Sequence, residues 1–456
     1  MRILLGAHAF PPASTAGVEV YTLRVARELQ RLGHDVLVLS AVHDLGARPY
    51  AVRRRRHEGV DVAEVVNVHH LGTLESTYDD AGVDASAATV LREFQPDVVH
   101  LQHLLNLSVG VIRDAKRAGA AVLLTLHDYW LGCPRDGLRM RADLKLCESI
   151  DHATCAECLA DSPYLVPALQ RGLSGTARRA GLGRHLHRLH AAAPRITAAG
   201  LAALRRLSPA APGLATAMDR RAAAIRAALA ELDLILAPTA FARDRALEFG
   251  APAARLRVWP LGALTAPPRA RPAGPRRRFG FVGTLAPHKG VHVLVEAFRG
   301  LTVPGVSLEL HGSPLVFPAY AGELRRAASG DDRIRFRGAF PDGEQPSVLA
   351  GLDVLVLPSV WWENSPLSVI ESLAAGVAVV ASRTGGVPEI VPEGAGLLVP
   401  PGDVGELRRA LGDVAEGRAL AGAAPALSLK TAGQEAQDLS ALYARLARPA
   451  LEVARA

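Results

Sequence analysis

Residues 352–375 read LDVLVLPSVWWENSPLSVIESLAA, and this stretch decides the fold. Leu352 to Pro358 is a short apolar run with the length of a buried strand, and Pro366 to Ala375 has helical spacing. The loop between them carries Glu363, while Glu371 lies about a turn and a half into the helix. A strand that leads into a helix in this way is typical of parallel α/β sheets, whose ligands bind at the carboxyl ends of the strands.

The two glutamates are therefore predicted to lie at a ligand-binding edge. Carboxylates accept hydrogen bonds from several hydroxyls at once, so Glu363 and Glu371 indicate a site for a polyol attached to a phosphate. The alternative is a pair of ordinary capping or surface glutamates, because this spacing also arises by chance. The ordered set with Gly385-Gly386-Val387-Pro388-Glu389 downstream is more specific than either glutamate alone.

Strand and helix patterns alternate on both sides of this stretch. The first half has predicted strands at Arg2–Ala7, Asp35–Ser40, Pro96–Leu101 and Ala121–Thr125, and a helix at Val18–Leu32. The second half has predicted strands at Phe279–Gly283, Ser307–His311, Ile334–Arg337, Asp353–Leu357 and Val377–Ala381. Repeated units of this kind predict an α/β protein with two Rossmann-like, doubly wound parallel sheets that face a central cleft.

The domain boundaries follow from a proline-rich interruption. Residues 263–278 carry prolines that prevent a regular element, so they are predicted to form the linker. The first domain then spans 1–262, with a cysteine cluster and a helical insertion at about 131–230. The second spans 279–429, and residues 430–456 are predicted to form a C-terminal helix.

Composition narrows the range of partners. The chain has 456 residues and a formal net charge of +7, which fits anionic partners such as nucleotide diphosphates or an anionic membrane face. It shows no zinc-finger spacing, helix-turn-helix signal or interleaving of aromatic and basic residues, so nucleic acid is not expected. It also shows neither an apolar run of membrane-spanning length nor a signal peptide, so a cytoplasmic location is expected.

Two arginine-rich stretches have no assigned chemistry. Arg53–Arg56 is predicted to be a solvated loop. Residues 165–230 are predicted to be helical, and their arginines could form a solvated face or lie against anionic lipid or a lipid-linked acceptor. Peripheral membrane contact is therefore left open.

The segment from Gly283 to Gly290 is a candidate phosphate site. It reads GTLAPHKG and joins a predicted strand to the start of a predicted helix. A helix N-terminus with Lys289 beside it directs amide hydrogens and a cation toward the same point. The alternative is a surface lysine near a turn glycine.

All four cysteines fall within one short segment. Cys133, Cys147, Cys155 and Cys158 are separated by 13, 7 and 2 residues. The two-residue gap lets both thiolates reach one tetrahedral ion, and a cytosolic chain favours metal over disulfides. Structural zinc is therefore predicted, with buried free thiols or a redox pair as alternatives.

The second half resembles a known family. The string from Gly283-Thr284-Leu285 through Lys289-Gly290, Glu363, Glu371 and Gly385-Gly386-Val387-Pro388-Glu389 to Gly396-Leu397-Leu398-Val399 resembles the retaining GT-B glycosyltransferases of family GT4. This likeness covers most of residues 279–405. A weaker likeness in the first half rests on Pro11-Pro12, Gly17-Val18-Glu19 and Thr125-Leu126-His127-Asp128.

The resemblance implies roles by position. Lys289 would hold the donor diphosphate, Glu371 the ribose hydroxyls and Glu363 the donor sugar. His127 would approach the donor sugar from the first domain, although a histidine after a buried strand is often structural. Gly17 would let the first loop approach the diphosphate closely. The remaining donor-binding positions would be Gly283, Thr284, Asn364, Ser365, Leu367 and Ser368.

The chain departs from the family pattern at three places. Thr284 stands where the family usually has an arginine, so one phosphate-binding cation is missing or comes from elsewhere. The usual Gly-Gly of the first loop is Ala16-Gly17, and the usual Gly-Phe-Gly between the glutamates is Asn364-Ser365-Pro366. Some family members carry Trp-Trp-Glu-Asn-Ser-Pro, so the last departure is interpreted as a subgroup feature.

The resemblance also implies an activity. The chain would move a sugar from a UDP or GDP type of nucleotide-diphosphate sugar to a sugar, polysaccharide or lipid-linked acceptor, with retention and without an active-site metal. A sugar-nucleotide 2-epimerase and a non-catalytic nucleotide-sugar-binding protein share the architecture. An epimer formed without acceptor would identify the first, and nucleotide binding without transfer or hydrolysis the second.

Overall fold

The structure is a computed structural model. It describes residues 1–44, 46–67, 73–135, 137–141, 143–160, 213–264, 273–422, 427 and 429–453. Within these residues the chain forms two separate sheets, one built from the first half of the sequence and one from the second. The prediction of two parallel α/β domains is thereby confirmed.

The first sheet has eight strands in the order β3-β4-β2-β1-β5-β6-β7-β8. The strands are β1 Arg2–Ala7, β2 Asp35–Val42, β3 Val52–His57, β4 Val60–Val66, β5 Val98–Leu101, β6 Ala121–Thr125, β7 Leu234–Ala237 and β8 Leu256–Val258. All neighbours pair in parallel except β3 and β4, which are antiparallel. The central position of β1 brings the carboxyl ends of β1, β5 and β6 together at one edge.

The second sheet has six parallel strands in the order β11-β10-β9-β12-β13-β14. They are β9 Arg278–Val282, β10 Ser307–His311, β11 Ile334–Gly338, β12 Val354–Leu357, β13 Ala378–Ser382 and β14 Gly396–Val399. Strands β9 and β12 lie side by side although 71 residues separate their ends, from Val282 to Val354. The loops that follow them, which carry Lys289 and Glu363, therefore meet.

Helices cover both faces of each sheet. The first part has α1 Gly17–Arg31, α2 Ala81–Phe94, α3 Gly110–Arg117, α4 His152–Ala160, α5 Leu214–Glu231 and α6 Ala240–Phe249. The second part has α7 Val291–Arg299, α8 Pro318–Ala327, α9 Gln345–Ala350, α10 Leu367–Ala374, α11 Val387–Ile390, α12 Val404–Ala415 and α13 Ala432–Val453. Of the predicted helical stretch 165–230, residues 165–212 lie outside the described residues. No described helix is both long enough and apolar enough to cross a bilayer.

Strand alternation divides the core of the first sheet into two layers. Ile3 and Leu5 pack into one apolar cluster, whereas Leu4 between them packs into another on the opposite face. All three side chains are fully buried. A strand buried on both faces is apolar throughout, which is why β1 was readable from the sequence.

The C-terminal helix α13 returns to the first sheet. The hydroxyl of Tyr443 lies 2.6 Å from Nδ1 of the fully buried His100 on β5. Glu435 accepts hydrogen bonds from the Tyr21 hydroxyl at 2.7 Å and from the Gly262 amide at 2.7 Å. Helix α13 thus packs against the first domain. It also contacts Gly262, where the chain leaves that domain. Of the predicted linker, residues 265–272 lie outside the described residues.

One prediction about the arginines was wrong. Arg53–Arg56 is part of β3, an edge strand, and not a loop. Its side chains pair with carboxylates: Arg53 with Asp44, Arg54 with Glu93, and Arg55 with Glu64. Charged side chains protect an exposed sheet edge against pairing with another chain, so a polar run can be a strand when it lies at an edge.

Candidate functional site

The carboxyl ends of the two sheets meet at a shared cleft. Asn364, in the loop after β12, donates from Nδ2 to the carbonyl of Leu126 after β6 at 2.8 Å. The Thr239 hydroxyl, which precedes α6, lies 3.4 Å from Oδ1 of the same asparagine. Asn364 is 3% exposed. Asn364, which stands in place of the first glycine of the usual Gly-Phe-Gly, therefore connects the two domains through its side chain.

Lys289 and Glu363 form the central ion pair of the cleft. The Lys289 ammonium lies 2.8 and 3.0 Å from the two carboxylate oxygens, and the Ser359 hydroxyl also donates to Glu363. Burial acts to raise the pKa of Glu363, but the ammonium and the hydroxyl outweigh it, so the pKa lies below its usual range. Glu363 is therefore a carboxylate at neutral pH, and Lys289 also lies over the Trp361 ring at 4.8 Å.

A glycine allows the two loops to meet. Gly290 has φ +66, and a Cβ there would lie 1.9 Å from the carbonyl oxygen of Pro358. The Val360 amide donates to the His288 carbonyl at 3.0 Å. Only glycine permits this approach, which sets the position of Lys289 relative to the loop after β12.

Glu371 is paired across the cleft. Arg24 on α1 donates to its Oε1, and the Gln345 side-chain amide donates to its Oε2. Arg24 and Glu371 are 7% and 2% exposed, so this is a buried interdomain ion pair. Neither Arg24 nor Gln345 was predicted from the sequence. Nothing in the local sequence marked Arg24, which lies about two helical turns into α1.

The Gly385-Gly386 motif holds the loop that carries Glu363. A Cβ on Gly385 would lie 1.9 Å from the Glu363 carbonyl, and a Cβ on Gly386 would lie 2.2 Å from the Asn364 carbonyl. The Gly386 amide donates to the Glu363 carbonyl at 2.7 Å. The paired glycines are therefore required by backbone packing against the site.

Glu389, which ends the same motif, reaches the other domain. Its carboxylate accepts from the amides of Ala240 at 2.6 Å and Phe241 at 2.7 Å. These are the first two residues of α6, whose amides have no intrahelical partner. The carboxylate caps that helix and complements its dipole, so the motif also contributes to domain contact.

The first domain contributes imidazoles and carboxylates. His127 Nε2 lies 2.9 Å from Gln102 Oε1, and burial together with the neighbouring His103 lowers the pKa of His127 to about 3. His103 Nε2 lies 2.8 Å from Asp128 Oδ2. Burial favours a raised pKa for Asp128, but His103 outweighs it and the pKa is lowered. His127 is thus a neutral imidazole at neutral pH, with one ring nitrogen in contact with Gln102.

Two buried polar atoms beside this group have no partner among the described residues. They are Oε2 of Glu19 and Nε2 of Gln102. The other oxygen of Glu19 accepts from the Ser14 hydroxyl at 2.8 Å and lies 3.1 Å from His8 Nε2. Leaving such atoms unpaired is costly, so the arrangement favours a polar ligand at this face.

The other predicted donor-binding residues lie at the end of β9 and at the starts of α1 and α10. Ser365 precedes α10, and Leu367 and Ser368 form its first turn, where amides lack intrahelical partners. Gly283 and Thr284 follow β9. Gly17 begins α1, and a Cβ there would meet no atom within 4 Å. The roles assigned to these residues stay predictions.

The four cysteines lie beside the cleft. They line one cavity of about 280 Å³, and none is in a disulfide. Among the described residues, no three histidine, cysteine, aspartate or glutamate side chains are arranged closely enough to hold a metal ion together. Burial, with a contribution from the other three thiols, raises the pKa of Cys155 to about 12.

Two family profiles match the chain, one in each half. Residues 276–416 match "Glycosyl transferases group 1", and residues 15–179 match "Glycosyltransferase Family 4". The chain belongs to the GT4-type GT-B glycosyltransferases. Both matched ranges contain residues placed at the cleft, namely Glu19, Gln102 and His127 in the first and Lys289, Glu363 and Glu371 in the second.

Curated relatives of this GT4-type chain match over part of their length. The MMP alpha-(1->4)-mannosyltransferase of Mycolicibacterium hassiacum is 33% identical over 184 residues, which are 40% of this chain and 44% of the relative. The 2-deoxystreptamine glucosyltransferase of Streptomyces kanamyceticus is 32% identical over 251 residues, 53% of this chain and 59% of the relative. The chain thus spans about half the length of the curated relatives it matches.

Solved structures match the GT4-type chain over its whole length. Sucrose-phosphate synthase from Thermosynechococcus elongatus is 17% identical with a TM-score of 0.59, and the match covers 99% of this chain and 98% of that one. Anabaena Alr3699/HepE in complex with UDP and glucose is 16% identical with a TM-score of 0.57, over 100% of both chains. At these identities the matches establish the fold.

Proposed function

We propose that the protein transfers a glycosyl group from a nucleotide-diphosphate sugar to an acceptor hydroxyl. The observation that carries this proposal is the Lys289–Glu363 pair, in which a buried carboxylate holds a partly exposed ammonium where the carboxyl ends of two strands meet the opposite domain. A cation fixed by a carboxylate is suited to binding the diphosphate, which becomes the leaving group. The carboxylate is at the same time an acceptor for sugar hydroxyls.

Charge on the departing diphosphate requires stabilisation. Lys289 supplies a full positive charge, and the first-turn amides of α10, at Leu367 and Ser368, supply partial positive charge at a helix N-terminus. Thr284 provides no cation where the family usually has an arginine. Arg24 lies at the same cleft, bound to Glu371, and is the candidate for the missing cation.

The two ends of the donor would meet different carboxylates. Glu363 would accept from hydroxyls of the transferred sugar, and Glu371 from ribose hydroxyls in place of part of its contact with Arg24 and Gln345. Solved structures of Anabaena Alr3699/HepE, which has the same fold, contain UDP with glucose and UDP-glucose. For this chain we propose a UDP or GDP type of nucleotide and a hexosyl group.

The acceptor would bind on the first domain. The unpaired atoms of Glu19 and Gln102 and the neutral imidazole of His127 offer hydrogen bonds to hydroxyls. We propose a sugar, polysaccharide or lipid-linked acceptor, used in glycan, glycolipid or polysaccharide synthesis. The reaction would retain the anomeric configuration, with the departing phosphate taking the acceptor proton. Cytoplasmic action, with peripheral membrane contact, is part of the same proposal.

Domain contact would exclude water from the donor. Asn364, Glu389 and the Arg24–Glu371 pair all cross the cleft. A closed cleft limits donor hydrolysis and strengthens the electrostatic contacts inside it.

The function is tested by binding and turnover of nucleotide sugars. Calorimetry with UDP, GDP, ADP and their sugars should identify one base, and Lys289→Ala should abolish detectable binding of the diphosphate. Lys116→Ala is the matched control, since Lys116 forms a comparable 2.7 Å pair with Asp233 at the amino-terminal edge of the first sheet. Wild-type binding and turnover in Lys289→Ala would overturn the site assignment.

Incubation of the wild type with the bound donor alone separates the activities. Slow release of free sugar, with retained anomeric configuration by NMR, supports transfer to water as a substitute acceptor. A C2 epimer of the donor would instead identify an isomerase. Binding with neither product nor hydrolysis, in the presence of a broad acceptor set, would contradict transferase activity.

A further inference from the structure

Three consecutive elements bring the four cysteines to one place. Cys133 lies in the loop after β6, Cys147 follows a short hairpin closed by the antiparallel bridge between Met140 and Leu146, and Cys155 and Cys158 lie on α4. Residues three apart on a helix share a face, so both helical cysteines point the same way. All four line the cavity of about 280 Å³.

The backbone at three of the four positions is held by local hydrogen bonds. The Cys133 amide donates to the Tyr129 carbonyl at 2.9 Å, the Cys147 amide to the Arg139 carbonyl at 2.8 Å, and the Cys155 amide to the Asp151 carbonyl at 2.8 Å. Cys133, Cys147 and Cys155 thus have hydrogen-bonded backbone positions around the cavity that they line with Cys158.

The charge around the cavity suits a tetrathiolate metal centre. Four thiolates on a divalent zinc ion leave a net negative charge, which needs compensation in a partly buried place. Nη1 of Arg135 lies 4.0 Å from the Cys158 sulfur, and Arg141 also lines the cavity. Arg139 donates from Nε and Nη2 to the Cys147 carbonyl at 3.0 and 2.6 Å.

We propose that Cys133, Cys147, Cys155 and Cys158 bind one structural zinc ion. The thiols do not form a coordination group in the described geometry, so binding requires the four side chains to rotate toward the centre of the cavity they line. The sulfurs then occupy four positions of a tetrahedral ion and leave none for a substrate. Each thiol releases its proton to solvent as it binds, and no redox change occurs.

The ion would stabilise a wall of the cleft. Met140 of the hairpin packs in one apolar cluster with Tyr129 and Trp361. The Arg139 guanidinium lies over the Trp362 ring at 5.1 Å, next to Glu363. Metal binding therefore orders the segment that supports the tryptophans before Glu363. This inference is independent of the glycosyltransferase proposal, because it concerns metal content and stability.

The first test is elemental analysis of untagged protein purified without chelator. We expect about one zinc ion per chain, and loss of that zinc in Cys147→Ser and Cys155→Ser. Glu157→Gln is the control, because Glu157 lies on α4 between the two helical cysteines, is exposed and does not line the cavity. Zinc retained in both serine variants, or absent from folded wild type, would overturn the proposal.

A second measurement covers the case in which the serine variants fail to fold. Wild-type protein unfolded, reduced and refolded with cobalt should show the thiolate-to-metal charge-transfer absorption of a tetrahedral sulfur site, and chelator should lower the unfolding temperature. Intact-mass analysis that found the four cysteines as disulfides in native protein would contradict the proposal. So would cobalt spectra without thiolate bands.

Discussion

The two faces of the cleft are built in different ways. The second domain presents Lys289, Glu363 and Glu371 from two loop–helix segments, each contiguous in sequence. The first domain gathers His8, Glu19, Gln102, His127 and Asp128 from four distant segments. The contiguous face carries the stronger family motif, whereas the dispersed face carries only the weaker likeness around Gly17-Val18-Glu19 and Thr125-Leu126-His127-Asp128. The family is therefore read most clearly from the second domain, whereas the acceptor site proposed on the first domain follows only from its tertiary structure.

The largest effect is expected on the contiguous face. Glu363→Gln removes the charge that positions Lys289, so kcat/KM should fall by on the order of 10³-fold, comparable to loss of a transition-state contact. Steady-state kinetics with the identified donor and acceptor measures this. Glu323→Gln, on an exposed position of α8, should be unchanged. An equal loss in both variants would contradict a specific role for Glu363.

The pH dependence of stability tests the buried contacts of His100 in the first domain, which carries the dispersed face. Burial, with a smaller contribution from His127, lowers the pKa of His100 from 6.5 to about 3. The folded state therefore binds fewer protons, and the stability this group contributes is present above pH 6.5 and lost as pH falls toward 3. The unfolding free energy should therefore fall by about 3 kcal/mol at pH 4 because of His100 alone.

Urea unfolding of wild type and His100→Gln across this pH range separates the contribution of His100 to the unfolding free energy from that of other titrating groups. The variant should show a shallower fall in unfolding free energy, because glutamine does not titrate. Parallel pH curves for the two proteins would refute the assignment.

The acceptor face is expected to show a smaller and more selective effect. Glu19→Gln should raise the acceptor KM about tenfold while donor hydrolysis stays unchanged, because a neutral amide weakens a charge-assisted hydrogen bond. Parallel assays of transfer and hydrolysis provide the measurement. Glu28→Gln on the same helix is the control. If hydrolysis fell together with transfer, Glu19 would belong to the donor site instead.

The smallest effect is expected at the contact between the two faces. Glu389→Ala removes the carboxylate that accepts from the first two amides of α6, while the Thr239 hydroxyl still accepts from Ala242, and should lower the unfolding free energy by about 1 kcal/mol. Denaturant unfolding measures it, with Glu393→Ala at an exposed position nearby as the control. Donor hydrolysis should rise relative to transfer if the cap also holds the cleft closed. A stability unchanged from the control would show that the contact contributes nothing.

The strands that were predicted well are those buried on both faces. β1 and β6 match their predicted bounds, since continuous apolar runs identify such strands, and β10 also matches although its buried leucines alternate with the partly exposed Ser307 and Glu309. The edge strand β3 was missed because its sequence is charged and its strand character comes from pairing with β4. Periodicity reports burial, and an edge strand is not buried on both faces.

In the candidate site too, residues that follow a recognisable strand were predicted and residues brought in by tertiary contact were not. Glu363 and Lys289 were identified because each follows a recognisable strand, although their contact depends on β9 and β12 being neighbours. The partners of Glu371 were not identified. Arg24 is 347 residues away in sequence and belongs to the other domain. Nothing local distinguishes it from the other arginines of the chain.

The sequence by itself determined the order of strands and helices, the two-domain α/β architecture and the polar residues at the ends of the second domain's strands, because these depend on local periodicity and turn chemistry. The tertiary structure decided which side chains meet across the cleft: Arg24 with Glu371, Asn364 with Leu126, and Glu389 with α6. It also decided that α13 braces the first sheet. Such contacts depend on how two sheets face one another, which no short stretch of sequence encodes.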